Sequence, residues 1–363
     1  MMQFIPGLDL CEAFYHEAVR PVLETHFPGL VHSAGRLDGG SEVLGFDTPQ
    51  SMDHEWGPAN LTLFVADGIA ELQPAITQAL AEHLPHEFRG FPTSFAASEV
   101  GGGSRVMRTV TEGPVVHKIS ATTVGRFFLD YVGADPQAGL QPVDWLLIPQ
   151  QRLRTIASGR IFHDGLGTLG PARDALQWYP RDVWCYVLAC QWHRINQEEP
   201  FMARCGDVGD ELGSRLIGAR MVIELMRLCF LMERQYWPYS KWFGTAFLRL
   251  ACAPELTPVF QAILDSQTWQ EREQHLSTAY IAVAHRHNAL GLTGHIEPGV
   301  SPFFDRPYQV PHAGRFVEAL QNQIASAEVR NLPPRIGAVS QFVDSTDVLD
   351  EIERCRSLAV LYR

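Results

Sequence analysis

Apolar residues recur every three or four positions through residues 9–26, up to Pro28, and that spacing predicts an amphipathic helix. LVHSA at 30–34 predicts a short strand, and glycines follow it directly. LTLFV at 61–65 is a brief apolar run and predicts a buried strand. ELQPAITQALAEHL at 71–84 returns to helical spacing, with Pro74 near its start, where a missing N–H is tolerated. VVHKI at 115–119 predicts a further strand, and GGGS at 101–104 a loop. Strands and helices therefore alternate over the first 165 residues, the pattern of an α/β layer.

The pattern changes across DGLGTLGPARDALQWYP, residues 164–180, where glycine and proline punctuate the chain. Beyond it the helical period dominates, through 183–196, 210–236, 255–266, 268–290 and 315–327. This half is expected to be a helical bundle. A chain of 363 residues is long for one core, and the switch in period predicts two domains, 1–168 and 169–363.

Composition narrows the function. Apolar residues make up 46% and charged residues 19%, as in ordinary globular proteins. A formal charge of −12 argues against a broad nucleic-acid footprint, which selects basic surfaces, but leaves room for a local basic pocket. No apolar run approaches the roughly 20 residues that span a bilayer, so no membrane partner is expected. The start, MMQFIPGLDLCEAF, has no basic region and carries acids early, unlike a signal peptide. Seven cysteines without C-x-x-C spacing suit reduced thiols in a cytoplasm and argue against a cysteine zinc site.

The densest chemistry lies in GGSEVLGFDTPQSMDHEW, residues 39–56. A strand followed by a glycine turn exposes backbone N–H groups that cradle phosphate oxygens, and Ser41 adds a hydroxyl. Asp53 and Glu55 are two apart, so on a strand they share a face. Adjacent carboxylates repel, and a divalent cation relieves the repulsion; Mg²⁺ is commonly held by one or two carboxylates plus substrate phosphates. A phosphate cradle beside metal-binding acids is what phosphoryl or nucleotidyl transfer requires.

Gly40-Ser41, eleven intervening residues and Asp53-x-Glu55 resemble the signature of the polymerase-β-like nucleotidyltransferase superfamily. That resemblance implies a mixed sheet flanked by helices, Asp53 and Glu55 as metal ligands, and Gly40-Ser41 at the nucleotide's phosphates. More widely, GSEVLGFD, SMDHEWGP, the DWLLIPQQRL–FHDGLG region, DELGSRL and RQYWPYSKWFGTAF resemble a bacterial family known as DUF4037, generally placed among nucleotidyltransferase-like proteins. The family label supplies no substrate.

The chain departs from the superfamily at one point. A third carboxylate usually comes from a later strand, but VVHKI offers His117 and Lys118. Asp144 is expected to cap a helix and Asp164 to sit in a turn. His54, between the two acids, is expected to pack or to support its neighbours. The histidines of HRHNALGLTGH match no metal spacing and are expected at a solvated helix end. In the helical half, Asp210 and Arg215 are expected to cap and pair, and Glu211 is the candidate general base for an acceptor hydroxyl. Pro238 in ERQYWPYSKW should break the helix there, and Arg234 and Lys241 are the candidates to meet a triphosphate.

The expected protein is an α/β, mixed-sheet nucleotidyltransferase domain followed by an all-α helical domain, with the active site between them. The expected reaction is Mg²⁺-dependent transfer of NMP, AMP from ATP, to a hydroxyl of a small polar acceptor. The layout is similar to that of aminoglycoside nucleotidyltransferases, and the acidic balance suits a cationic acceptor. Transfer to RNA or protein is the enzymatic alternative. A nucleotide-binding regulatory protein without turnover is the alternative of another class, and the missing third acid is its support.

Overall fold

The computed structural model describes residues 3–99 and 103–363, so part of the expected 101–104 loop lies outside the described residues. The chain divides into two compact units: residues 1–140 with 152–177, and residues 141–151 with 178–363. The chain thus passes from one unit to the other three times.

The first unit is built on a four-stranded mixed sheet of β1 (His32–Arg36), β2 (Thr62–Val65), β3 (Ser120–Thr122) and β4 (Arg160–Asp164), in spatial order β3-β2-β1-β4. β1 runs antiparallel to both β2 and β4, while β2 and β3 are parallel. Gly35 faces Ile161, and the β1–β4 register shifts between Ala34 and Gly35. A Cβ on Gly35 would stand 2.8 Å from the Arg160 carbonyl, so only glycine lets β4 approach this closely.

Alternation along β2 places its side chains on two faces. Leu63 and Val65 join Phe14, Tyr15, Ile76 and Leu80 in one buried cluster. Those partners come from α1 (Gly7–Phe14), a π-turn over Tyr15–Val19 and α3 (Gln73–His83), with α2 (Arg20–His26) between. Phe64, pointing the other way, meets Phe127 of α4 (Val124–Val132) edge-on at 5.3 Å. Both faces are covered by helices, which makes this the α/β layer read from the sequence.

The local differences have physical causes. Residues 9–26 form a helical segment, but one that changes period at Tyr15–Val19. The strand expected at 115–119 begins only at Ser120: Val115 donates away from the sheet, to Ala81, and only Lys118, donating to Ala59, already follows the line of β2. Asp164 ends β4, and the expected bend follows it at residues 165–167, where the Gly167 N–H donates to its carboxylate; the strand itself went unread because Arg160, His163 and Asp164 interrupt its apolar run. A ribbon of Ser94–Ala97 against Arg105–Arg108 was not visible in the pattern either.

The second unit is mainly helical. α5 (Arg181–Glu198) packs against α6 (Glu211–Met232) and α9 (Gly314–Gln321), with α7 (Ala253–Asp265) and α8 (Trp269–Ala289) completing the bundle. Trp192 of α5 stacks on Phe316 at 4.2 Å. The buried Glu224 carboxylate is matched by Arg194, at 3.0 Å, and by Gln191, at 2.6 Å, so its charge is compensated inside the bundle. Asp210 caps α6 through the Gly213 N–H, and Thr268 with Glu271 forms a capping box on α8. The helix expected at 315–327 is shorter, ending at Gln321 before a separate turn at Ala327–Arg330. Residues 141–151 belong here: the Gln150 N–H reaches the Ser340 hydroxyl, and Pro142–Leu147 packs on the turn Leu358–Tyr362.

Candidate functional site

β1 ends at Arg36, and the chain turns through residues 38–45. The buried Arg36 guanidinium organises this turn. It donates to the Gly39 carbonyl at 2.7 Å, to Glu42 Oε1 at 3.1 and 3.3 Å, and to Asp38. Burial works against its charge, but Asp38 and Glu42 beside it hold its pKa above the ordinary value. Burial likewise pushes the Glu42 carboxyl up, with Arg36 pulling it back. The turn closes on itself: Leu44 N–H donates to the Gly40 carbonyl, Phe46 to Ser41 and Gly45 to Glu42. Gly40 has φ +153°, and a Cβ there would lie 2.5 Å from both Glu42 carboxylate oxygens. Its lack of a side chain therefore has a structural cause inside the turn.

Asp53 and Glu55 do not lie on a strand, contrary to the premise of their same-face geometry. Thr48 caps a 3₁₀ turn over Pro49–Asp53, His54 is extended, and Glu55 adopts left-handed φ +55°. Glu55 is held there by tertiary bonds. Its N–H donates to the Arg105 carbonyl at 2.7 Å, and its Oε1 accepts from the Arg105 N–H at 2.6 Å. Its carbonyl accepts from Asn60, and its Oε2 contacts the Lys118 ammonium. Asp53 is exposed, with His54 Nδ1 at 2.8 Å from its carboxylate. His54 is thus paired at the surface, not packed. Next in the chain, Trp56 Nε1 donates to Asp47, which also accepts the Gly7 N–H at the start of α1.

The topology explains how these pieces meet. Gly35 of β1 is opposite Thr62 of β2, and Thr62 is beside Ser120 of β3. The end of β1 and the start of β3 therefore share one end of the sheet. Lys118, two residues before β3, feels Arg36, Asp38 and Glu42 as well as its partner Glu55. Burial pushes its ammonium pKa down and Arg36 adds to that, while Asp38 and Glu42 oppose. Its Nζ lies 5.6 Å from the centre of the Phe95 ring. Sequence reasoning found Gly40, Ser41 and Glu55 here but passed over Arg36, Asp38 and Glu42; Lys118 drew notice only as a base where an acid was sought.

Among the described residues, no group of three or more His, Cys, Asp or Glu side chains is placed to hold a metal ion. Asp53 and Glu55 nevertheless present hard oxygen donors, and Glu55 Oε2 already meets a cation, the Lys118 ammonium. Mg²⁺ held by either carboxylate would need water and phosphate oxygens to complete its shell. A groove of about 500 Å³ beside Phe95, lined also by Arg108 and Glu112, includes none of the residues expected at the site.

The remaining acids are engaged elsewhere. Asp164 pairs with Ser33 at the opposite end of β1 and accepts its hydroxyl at 2.6 Å. Burial acts to raise its pKa, but Ser33 and the N–H groups of Gly170 and Gly167 outweigh it and hold the carboxyl below the usual range. Asp144 accepts the Gln141 N–H at 2.8 Å and caps its own short helix.

In the second unit, Glu211 opens α6, and its carboxylate meets the buried Arg272 at 2.6 Å and Arg215 at 3.7 Å. Arg215 pairs with Glu211 rather than with Asp210. Arg234 lies just past the other end of α6, its guanidinium 4.5 Å over Trp184. A 22-residue helix separates Glu211 from Arg234, about 33 Å, so the two do not serve one reacting group together. Lys241 is exposed, 4.9 Å from the Trp242 ring centre. Of the three histidines in HRHNALGLTGH, His285 and His295 are exposed as expected, but His287 is fully buried against Trp192 and Phe316.

The model of a family described as "Domain of unknown function (DUF4037)" matches residues 145–243, a stretch that leaves out the Gly40–Glu55 segment. A crystal structure titled as a nucleotidyltransferase-like protein from Exiguobacterium sibiricum 255-15 is similar at 11% identity and a TM-score of 0.33, with 95% of this chain and 90% of that chain covered. No curated protein matches the chain. No helix among the described residues is long and apolar enough to cross a membrane.

Proposed function

We propose that this protein is a Mg²⁺-dependent nucleotidyltransferase that moves NMP, AMP from ATP, onto a hydroxyl of a small polar acceptor. The observation that carries the proposal is the meeting, at one end of the sheet, of the glycine-serine turn, the Glu55 carboxylate and a half-buried lysine, drawn from residues 36–42, 55 and 118. Bound at Asp53 and Glu55, Mg²⁺ would neutralise charge on the phosphates. The chain's own part is to hold the Glu55 carboxylate in place through Arg105 and Asn60 and to present the turn after β1. Glu211 is the proposed base. Its contact with Arg272 fixes the position of its carboxylate.

Asp53→Asn tests the metal reading cleanly, because Asp53 is exposed and its ion-pair partner is the adjacent His54. Calorimetry should show Mg·ATP affinity lost while the circular dichroism spectrum is unchanged. Unaltered affinity in the folded variant would remove Asp53 from the metal site. Glu211→Gln should leave Mg·ATP binding intact and slow pyrophosphate release with labelled ATP and a panel of polar acceptors by roughly 10²–10⁴-fold. Full activity would take Glu211 out of the mechanism.

The second reading is a nucleotide-binding regulator without turnover. It is favoured by the absence, among the described residues, of a three-carboxylate group. Tight Mg·ATP binding with no pyrophosphate from any acceptor would select it. Transfer to RNA is disfavoured by the net charge of −12.

A further inference from the structure

We propose that Lys118 is a built-in counter-cation of Glu55, which a divalent metal must displace before Glu55 can ligate it. The proposal rests on the metal reading above and adds to it a competitor supplied by the chain itself.

The geometry leaves little alternative for a metal at Glu55. The backbone of Glu55 is tied on both sides, by Arg105 and by Asn60, and its Oε1 accepts the Arg105 N–H at 2.6 Å. Oε2 is the oxygen that no backbone N–H occupies, and the Lys118 ammonium is on it. Two cations on one carboxylate oxygen repel at close range in a partly dehydrated site. The carboxylate cannot turn away from the ammonium without breaking its bond to Arg105, so the lysine is the partner that moves.

Lys118 is able to move. Its backbone is anchored by the N–H donated to Ala59 at 2.9 Å, while the four-carbon stem carries the ammonium as a swivelling point charge. Its Nζ already lies 5.6 Å over the face of Phe95 while it contacts Glu55, so a swing of the stem can keep that ring contact as the carboxylate is released. A polyphosphate arriving with the metal offers a new partner, since the displaced ammonium then pairs with phosphate oxygens instead of carboxylate. Metal alone should therefore bind weakly, and metal with polyphosphate cooperatively, through one side chain.

The test is Mn²⁺ binding followed by electron paramagnetic resonance on the full chain, with and without tripolyphosphate. Lys118→Met removes the charge and keeps the stem. It should bind Mn²⁺ alone roughly two- to fivefold more tightly than the wild type, the order expected for a partly exposed ion pair, and tripolyphosphate should no longer tighten it. Lys118→Arg keeps a cation on Glu55 and should bind Mn²⁺ alone as weakly as the wild type. Equal or weaker Mn²⁺ binding by Lys118→Met, with wild-type binding intact and lost in Asp53→Asn, overturns the displacement and leaves the metal reading standing. Absence of Mn²⁺ binding in wild type and Lys118→Met alike overturns both.

Discussion

At the scale of single residues, the glycine turn shows how a motif and its structural cause separate. Gly40 has positive φ, and the space where its Cβ would sit is filled by the Glu42 carboxylate, whereas nothing lies within 4 Å of a Cβ on Gly39. Gly40→Ala should therefore cost about 1–3 kcal/mol in urea denaturation, and Gly39→Ala within about 0.5 kcal/mol of nothing. Equal losses in the two variants would show that the Glu42 contact is not what demands glycine. The spacing of Gly40-Ser41 to Asp53-x-Glu55 was legible because it is local in sequence. The conformation of Glu55 was not, because the bonds that set it come from Arg105, fifty residues on. Lys118 stood out in its segment, yet nothing local reveals that its partner is Glu55, 63 positions earlier.

Among the elements, the long helices were legible because burial repeats every three or four residues and their caps are written in the sequence, as Thr268 and Glu271 are on α8. The strands are three to five residues long in the main sheet, too short for a period to establish itself. VVHKI has strand composition, yet β3 begins five residues after its start, and the Val115 N–H is spent on Ala81, outside the sheet. The link between α1 and the site is equally non-local. Asp47 accepts from Gly7 N–H at 2.7 Å and from Trp56 Nε1 at 3.2 Å, so it ties the start of α1 to the residue after Glu55. Asp47→Ala leaves both donors without that acceptor and should cost about 1–3 kcal/mol. Hydrogen exchange should show faster opening at Gly7 and through the first turn of α1; unchanged protection there would mean that the helix does not depend on this tie.

On the scale of the whole molecule, two buried groups of the helical unit should give stability opposing slopes with pH. Burial lowers His287 to about 4, and its Nδ1 accepts from Trp192, which suits the neutral ring. The unfolded chain then binds the extra proton, so stability falls as pH drops from about 6.5 to 4. Burial raises Glu199 to about 7, against the pull of the Ala313 N–H and Arg315. Here the folded chain binds the extra proton, so its contribution is whole below the unfolded value and is lost as pH rises towards 7. Each shift corresponds to something on the order of 3 kcal/mol across its range. Urea midpoints measured between pH 4.5 and 7 should show Glu199→Gln gaining on the wild type as pH rises; a constant gap would mean that Glu199 titrates normally in the fold. The threefold passage of the chain between the two units has a consequence for synthesis. Gln150 finds its partner Ser340 only 190 residues later, and Pro142–Leu147 must also await the turn at 358–362. At about 5–20 residues per second the ribosome needs roughly 10–40 seconds to cover that distance. For that time Trp145, Leu146 and Leu147, all buried in the folded protein, emerge without the last of their cover, an apolar stretch left open to chaperones.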